Sequence, residues 1–119
     1  MDVIYTDEFG EWFEDLDEEA QEDVAVSVRL LEERGVTLGH PQSSALENTK
    51  YALRELRITS KRREIRVAYA FDPERNAVLL IGDFKAGKNN KRFYKEVIAA
   101  AENIWEQYLA EREAEDKAK

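Results

Sequence analysis

LRELRITSKRREIRVAYAFDPERNAVLLIGDF, residues 53–84, is the stretch on which the fold turns. Apolar and polar side chains alternate with period two in three runs, Leu53 to Ile58, Glu64 to Asp72 and Ala77 to Phe84, and such runs read as consecutive strands. Thr59-Ser60-Lys61-Arg62-Arg63 and Pro73-Glu74-Arg75-Asn76 are the turns between them, giving two hairpins in a meander. Centring the first hairpin on Lys61/Arg62 sets Ile58 opposite Ile65 and Arg57 opposite Arg66. Centring the second on Glu74/Arg75 sets Phe71 opposite Val78 and Arg66 opposite Asp83. One sheet face then carries Leu56, Ile58, Ile65, Val67, Tyr69, Phe71, Val78, Leu80 and Phe84. The other carries a charged end, with Glu55, Arg57, Arg66, Asp83 and Lys85, and an apolar end, with Ala68, Ala70, Leu79 and Ile81.

Both faces need cover, and the flanking segments supply it. Val3-Ile4-Tyr5 reads as a first strand, followed by a helical stripe of Phe9, Trp12, Phe13 and Leu16. Asp17 is the N-cap of a second helix over 18–34, with Ala20, Val24, Val28 and Leu31 inward and Gly35 as its stop. These two helices pack on the first face. Residues 36–52, with Gly39-His40-Pro41 and Ser43-Ser44, read as one long loop. A final helix from about Lys91 to Arg112 carries a stripe of Phe93, Val97, Ile98, Ala101, Ile104, Trp105, Tyr108 and Leu109, which covers the apolar end of the second face. The expectation is a single α+β domain over residues 1–110, ordered β-α-α-β-β-β-α, with a small antiparallel-rich sheet and a charged tail, 111–119, that frays.

The 119 residues suit one domain, and 43% hydrophobic with 37% charged is a globular composition with a highly charged surface. Absence of cysteine excludes disulfides, thiolate nucleophiles and Cys-based zinc sites, and a lone histidine, His40, excludes a His–His metal pair. No apolar run approaches a bilayer-spanning length and the acidic N-terminus does not suit a signal peptide, so a cytoplasmic protein with no membrane partner is expected. The net charge of −8 hides an asymmetry: residues 1–50 sum to −11, residues 51–95 to +7 and residues 96–119 to −4. A basic middle third on an acidic body can contact phosphate locally; the same pattern also describes solvated helices and turns.

The helix pair, the loop with Leu38-Gly39 and Pro41, Leu53-Arg54-Glu55-Leu56-Arg57, and Ile65-Arg66-Val67 leading to Tyr69-Ala70-Phe71-Asp72 resemble the RelE/ParE superfamily, and more narrowly its HigB-type toxins of bacterial type II toxin–antitoxin modules. Leu80-Ile81-Gly82-Asp83-Phe84-Lys85, Lys91-Arg92-Phe93-Tyr94 and the long last helix add to the resemblance, which spans about residues 2–109. It implies a RelE/ParE-like fold and an endoribonuclease, an mRNA interferase that cuts messenger RNA on the ribosome with neither metal nor cofactor and so inhibits translation. It also implies a cognate antitoxin, HigA-like with a helix-turn-helix domain, as partner. ParE relatives share the fold and act instead on DNA gyrase, and a toxin fold can persist as an inactive, antitoxin-binding protein; fold alone does not choose.

Metal-free RNA cleavage by attack of a 2′-hydroxyl needs a base, stabilisation of the phosphoryl charge and a donor for the leaving 5′-oxygen. Arg57 and Arg66, paired across the first hairpin, present two guanidinium forks to one phosphate, with Glu55 and Asp83 offsetting their repulsion in the free protein. Lys85, among other cations, is expected to act as base or electrostatic stabiliser. Tyr94 is placed to stack on a base or donate its proton. Arg54, Lys88, Lys91 and Arg92 complete the expected RNA-binding set, and His40 joins only if its loop folds over the patch. The same side chains also fit an ordinary Arg/Asp/Glu network on a solvated sheet face, and Tyr94 an edge position of the helix stripe.

Overall fold

Thr6 closes the first strand and opens the first helix. Its hydroxyl accepts the backbone N–H of Phe9 at 3.2 Å and donates to the carbonyl of Leu79 at 2.8 Å. That one residue caps α1 (Asp7–Glu14) and ties β1 (Val3–Tyr5) to the strand containing Leu79. Asp7 and Glu8 add negative charge to the first turn, where the helix dipole favours it. In α2 (Glu18–Arg34), Ala20, Val24, Val28 and Leu31 are buried as their spacing predicts. Asp17 is the N-cap by backbone conformation, but its carboxylate turns to Arg63 at 2.8 Å and Lys61 at 3.4 Å instead of to the helix N–H groups. Gly35, at φ 54°, ends the helix in a conformation that a Cβ would strain. The computed structural model describes residues 1–118 except positions 86 and 88, so Lys88 lies outside the described residues.

Residues 36–52 are not all loop. After a 3-10 turn (Gly35–Thr37), β2 (Ser43–Ala45) pairs antiparallel with β3 (Arg54–Ser60), Ser43 opposite Leu56. Three residues without an apolar period give no strand signal, which is why sequence reading passes over β2. β3, β4 (Arg63–Phe71) and β5 (Ala77–Phe84) form the expected meander, and β1 joins β5 in parallel, for a strand order β1-β5-β4-β3-β2. The chain is thus α+β with one strand more than expected. Lys61 and Arg62, both at positive φ (51° and 65°), make the two-residue hairpin turn, with Arg57 opposite Arg66 and Ile58 opposite Ile65.

In the second hairpin the expected register holds from Ile65/Phe84 through Arg66/Asp83 to Ala68/Ile81 and then slips by one residue. Tyr69 faces Leu79 and Phe71 faces Ala77, not Val78, so Leu80 is the extra residue of a β-bulge. This corrects the face assignment: Ala77 and Leu79 join the helix-pair side, whereas Val78 and Leu80 turn to the opposite face. Because residues 77–81 are apolar at every position, their pattern carries no record of the slip.

One core lies between the sheet and the helix pair, built on Phe9, Val24, Leu31, Leu56, Ile65, Val67 and Tyr69. Trp12 lies so close to Gly82 that a Cβ there would stand 2.5 Å from its ring. The second core packs Leu53, Ala68, Ala70, Val78 and Leu80 against Phe93, Val97, Ile98, Ala101 and Trp105 of α3 (Asn90–Ala118), which runs past Arg112 to Ala118. Polar anchors hold α3 to the body. The Thr49 hydroxyl donates to Glu102 at 2.7 Å, the Tyr51 hydroxyl donates to Glu106, and the Tyr108 hydroxyl donates to Asp72 at 2.8 Å. Arg112 reaches both Asp72 and Glu74. No helix among the described residues is long and apolar enough to cross a membrane.

Candidate functional site

α3 covers the apolar end of its sheet face, and its first turns reach the charged end, where Arg57 stays accessible while Glu55 and Arg66 are buried. There the register sets Arg57, Arg66 and Asp83 side by side on β3, β4 and β5, with Glu55 two residues back along β3 on the same face. Two cations facing each other across strands repel. Glu55, only 5% exposed, offsets them: its Oε2 lies 3.1 Å from Nη1 of Arg57 and its Oε1 3.6 Å from Nε of Arg66. Tyr94, from the first turns of α3, donates its hydroxyl to the same Oε1 at 2.8 Å. Arg66 also reaches Glu64 at 3.1 Å and the carbonyl of Ile65 at 3.1 Å. Its Nε is buried without a hydrogen-bond partner.

The two arginines differ in access. Arg66 is 3% exposed, whereas the side chain of Arg57 is 37% exposed. Arg57 is therefore the outer guanidinium of the pair, and Arg66 the inner one, packed against Glu55. Lys85 lies with its ammonium 5.5 Å from the centre of the Tyr94 ring, a cation–π distance. Burial pushes the Tyr94 phenol above its ordinary range; a hydrogen bond with Arg66 opposes this and the carboxylate of Glu55 adds to it. Tyr94 therefore stays protonated at neutral pH, as a donor.

The remaining expected residues divide. Lys91 lines a cleft beside Tyr94, on the same side as the cluster. Arg92 is turned to solvent and pairs with Glu96 at 3.2 Å. Arg54 lies opposite Tyr69, on the face that packs on the helix pair and away from the cluster. Its guanidinium donates to Ser43 at 3.2 Å, to the Tyr69 hydroxyl at 3.3 Å and to the Leu38 carbonyl at 3.4 Å. Strand alternation separates it from Glu55 and Arg57, and its work is to hold β2 to the sheet. His40 is exposed in the turn before β2. No group of three or more His, Cys, Asp or Glu side chains that could hold a metal occurs among the described residues.

A family model described as "Phage derived protein Gp49-like" matches residues 11–106, a span that holds the whole cluster. The chain belongs to the Gp49-like family. Among curated relatives it is similar to "Putative toxin HigB3" of Mycobacterium tuberculosis, at 39% identity over 111 residues that cover 92% of this chain and 95% of that protein. It is also similar to "Putative toxin HigB2" of the same organism, at 36% identity over 104 residues, 86% of this chain and 51% of that protein, so the chain spans about half the length of that second relative. No solved structure matches the chain.

In this Gp49-like chain the central position is one that sequence reasoning treated as a mere counter-charge. Glu55 is the acceptor on which Arg57, Arg66 and Tyr94 converge. Its strand parity puts it on the charged face, but only the packing of α3 shows that Tyr94 comes down upon it. The arrangement can bind a phosphate at Arg57, take a proton at Glu55 and give one from Tyr94.

Proposed function

We propose that the protein is the toxin of a type II toxin–antitoxin module of the RelE/ParE kind, a cytoplasmic endoribonuclease that cuts messenger RNA on the ribosome and is held in check by an antitoxin, HigA-like with a helix-turn-helix domain. The observation that carries this reading is the convergence of two arginines and a tyrosine on one buried carboxylate at the charged end of the sheet. The names of the two curated relatives support the toxin part of it.

The chemistry follows from the geometry. A phosphate docking on Arg57 draws that guanidinium away from Glu55 and frees Oε2 of the carboxylate as an acceptor. Glu55 then takes the proton of the 2′-hydroxyl as its oxygen attacks phosphorus. Arg57 and Arg66 stabilise the charge that builds on the phosphoryl oxygens, and Lys85 adds to that field. Tyr94 gives its proton to the departing 5′-oxygen and regains one from Glu55, to which it is already bonded. The products are a 2′,3′-cyclic phosphate and a free 5′-hydroxyl, and the protein ends unchanged.

The test is expression from a tightly repressed promoter with transcript 5′ ends mapped as growth is followed. Codon-phased new ends that disappear in Arg57→Ala at equal protein level are the expected result. The burial of Arg66 and its engagement with two carboxylates favour a second reading, in which the cluster is a structural network and the toxin acts, ParE-like, on a protein such as DNA gyrase. Growth arrest with intact transcripts and induced DNA-damage signalling selects that reading.

A further inference from the structure

Beyond Tyr94 the charged face continues into an open cleft of about 710 Å³ between the β2 segment and residues 90–102 of α3. Its size lies within the range of about 300–1,000 Å³ common to small-molecule sites. Glu55 and Tyr94 form part of its lining, so the cleft and the cluster share a wall. Ala45 and Leu46 face Ile98 and Ala99 as aliphatic sides. Two carboxylates, Glu47 and Glu102, also line it. Glu102 is held in position by the Thr49 hydroxyl at 2.7 Å and the Lys50 backbone N–H at 2.9 Å, both on its Oε2. Lys91 and Lys95 line the helix side.

Aliphatic walls accept the flat faces of a heterocycle, fixed carboxylates accept from its amino edge, and lysines meet its phosphate. We propose that this cleft is a base-selecting subsite: it seats the base of the nucleotide next to the phosphate held by Arg57, and it prefers the amino-bearing bases guanine, adenine and cytosine over uracil. Uracil has no exocyclic amine to give to Glu47 or Glu102, and its one Watson–Crick-edge donor, N3–H, sits between two carbonyl oxygens that a carboxylate repels, a term that discriminates beside the lost attraction. The ligand class rests on the RNA reading above; the place and its acceptor-rich lining rest on the cleft alone.

Titration of the full-length protein with guanosine, adenosine, cytidine and uridine 5′-monophosphates, followed by amide NMR, tests this. The first three are expected to shift Leu46, Ala99 and their neighbours with saturating curves, and uridine monophosphate to bind about threefold to tenfold more weakly, the equivalent of one hydrogen bond. Ala99→Trp, at a solvent-exposed helix position, fills the cleft and is expected to abolish these shifts while the rest of the spectrum reports an intact fold. If that variant does not fold, Ala45→Trp fills it from the opposite wall. Shifts confined to Arg57 and Lys85, equal binding of all four nucleotides, or binding unchanged in the filled variant would each overturn the inference. Its failure is distinguishable from failure of the cleavage reading. Nucleotides that bind in the cleft while cellular transcripts stay intact sink the nuclease and keep the subsite; cut transcripts without cleft binding do the reverse.

Discussion

At Glu55 and Arg66 a single pair of side chains carries stability and, in the proposed function, chemistry, and the two can be separated. Both groups are nearly fully buried, so removing one leaves the other's charge less compensated, with only the half-exposed Arg57 left to Glu55 or Glu64 left to Arg66. Arg66→Met is expected to cost about 3 kcal/mol or more in urea unfolding, and the double variant Glu55→Gln with Arg66→Met to recover most of that loss. A double variant no more stable than the single one would show that the pair is not coupled. Tyr94→Phe keeps the edge contact with Phe93 (ring centres 5.2 Å apart) and removes only the hydroxyl that donates to Glu55. It should cost about 1–3 kcal/mol in stability, for the hydrogen bond that the buried carboxylate loses, and lower RNA cleavage about 10²-fold or more in protein that remains folded, as loss of a proton donor does. The cross-strand arginine pair was readable from the turn positions alone, because strand parity fixes which residues oppose each other. The role of Glu55 was not, since the hydroxyl that meets it belongs to a helix 39 positions away in sequence.

Two contacts between elements govern how the layers fit. Gly82 lets the Trp12 ring of α1 rest on β5, and Gly82→Ala should destabilise by about 1–3 kcal/mol through overpacking, measured by thermal or urea unfolding. The other contact is the clamp of the β4–β5 turn on α3. Burial would raise the Asp72 carboxyl, but hydrogen bonds from the backbone and side chain of Asn76, the Tyr108 hydroxyl and the backbone of Glu74 outweigh it and hold the group below the ordinary carboxylate range. A depressed folded-state value stabilises above the unfolded pKa, about 4, and that contribution is lost as pH falls through the folded value. Tyr108, in the same clamp, is pushed up to about 12, first by burial and then by its bond to Asp72. Its raised value stabilises fully below the unfolded pKa of about 10, and the contribution is lost as pH rises from there toward the folded value. Melting temperature should therefore fall on both limbs. Asp72→Asn should flatten the acid limb and Tyr108→Phe the alkaline one; a Tyr108→Phe profile that still falls steeply above pH 10 would discard the assignment.

For the whole molecule, the acidic average conceals a basic patch. Arg57, Lys85, Lys91 and Lys95 cluster about the charged sheet end and the cleft, while Arg63 and Lys61 of the adjoining β3–β4 hairpin are spent on Asp17 and Glu19. Binding of single-stranded RNA through about four such cations should show a log–log salt slope near about −3. Lys95→Ala should reduce that slope by about 0.7; a slope near zero would remove phosphate contact from the account. The acidic outer surfaces of the helix pair lie on the opposite side of the sheet, behind the core built on Phe9 and Val24.

The sequence by itself determined the helix pair, the meander, the Arg57–Arg66 pairing and the helix that covers the second face. Each is written in local periodicity and turn chemistry, which act over a few residues and survive in a one-dimensional record. Only the tertiary structure decided the strand β2, the bulge at Leu80, the retirement of Arg54 to the helix side and the meeting of Tyr94 with Glu55. Each of these depends on partners distant in the chain: β2 exists because β3 offers it hydrogen bonds, and the bulge falls within a run apolar at every position, where periodicity has nothing to record.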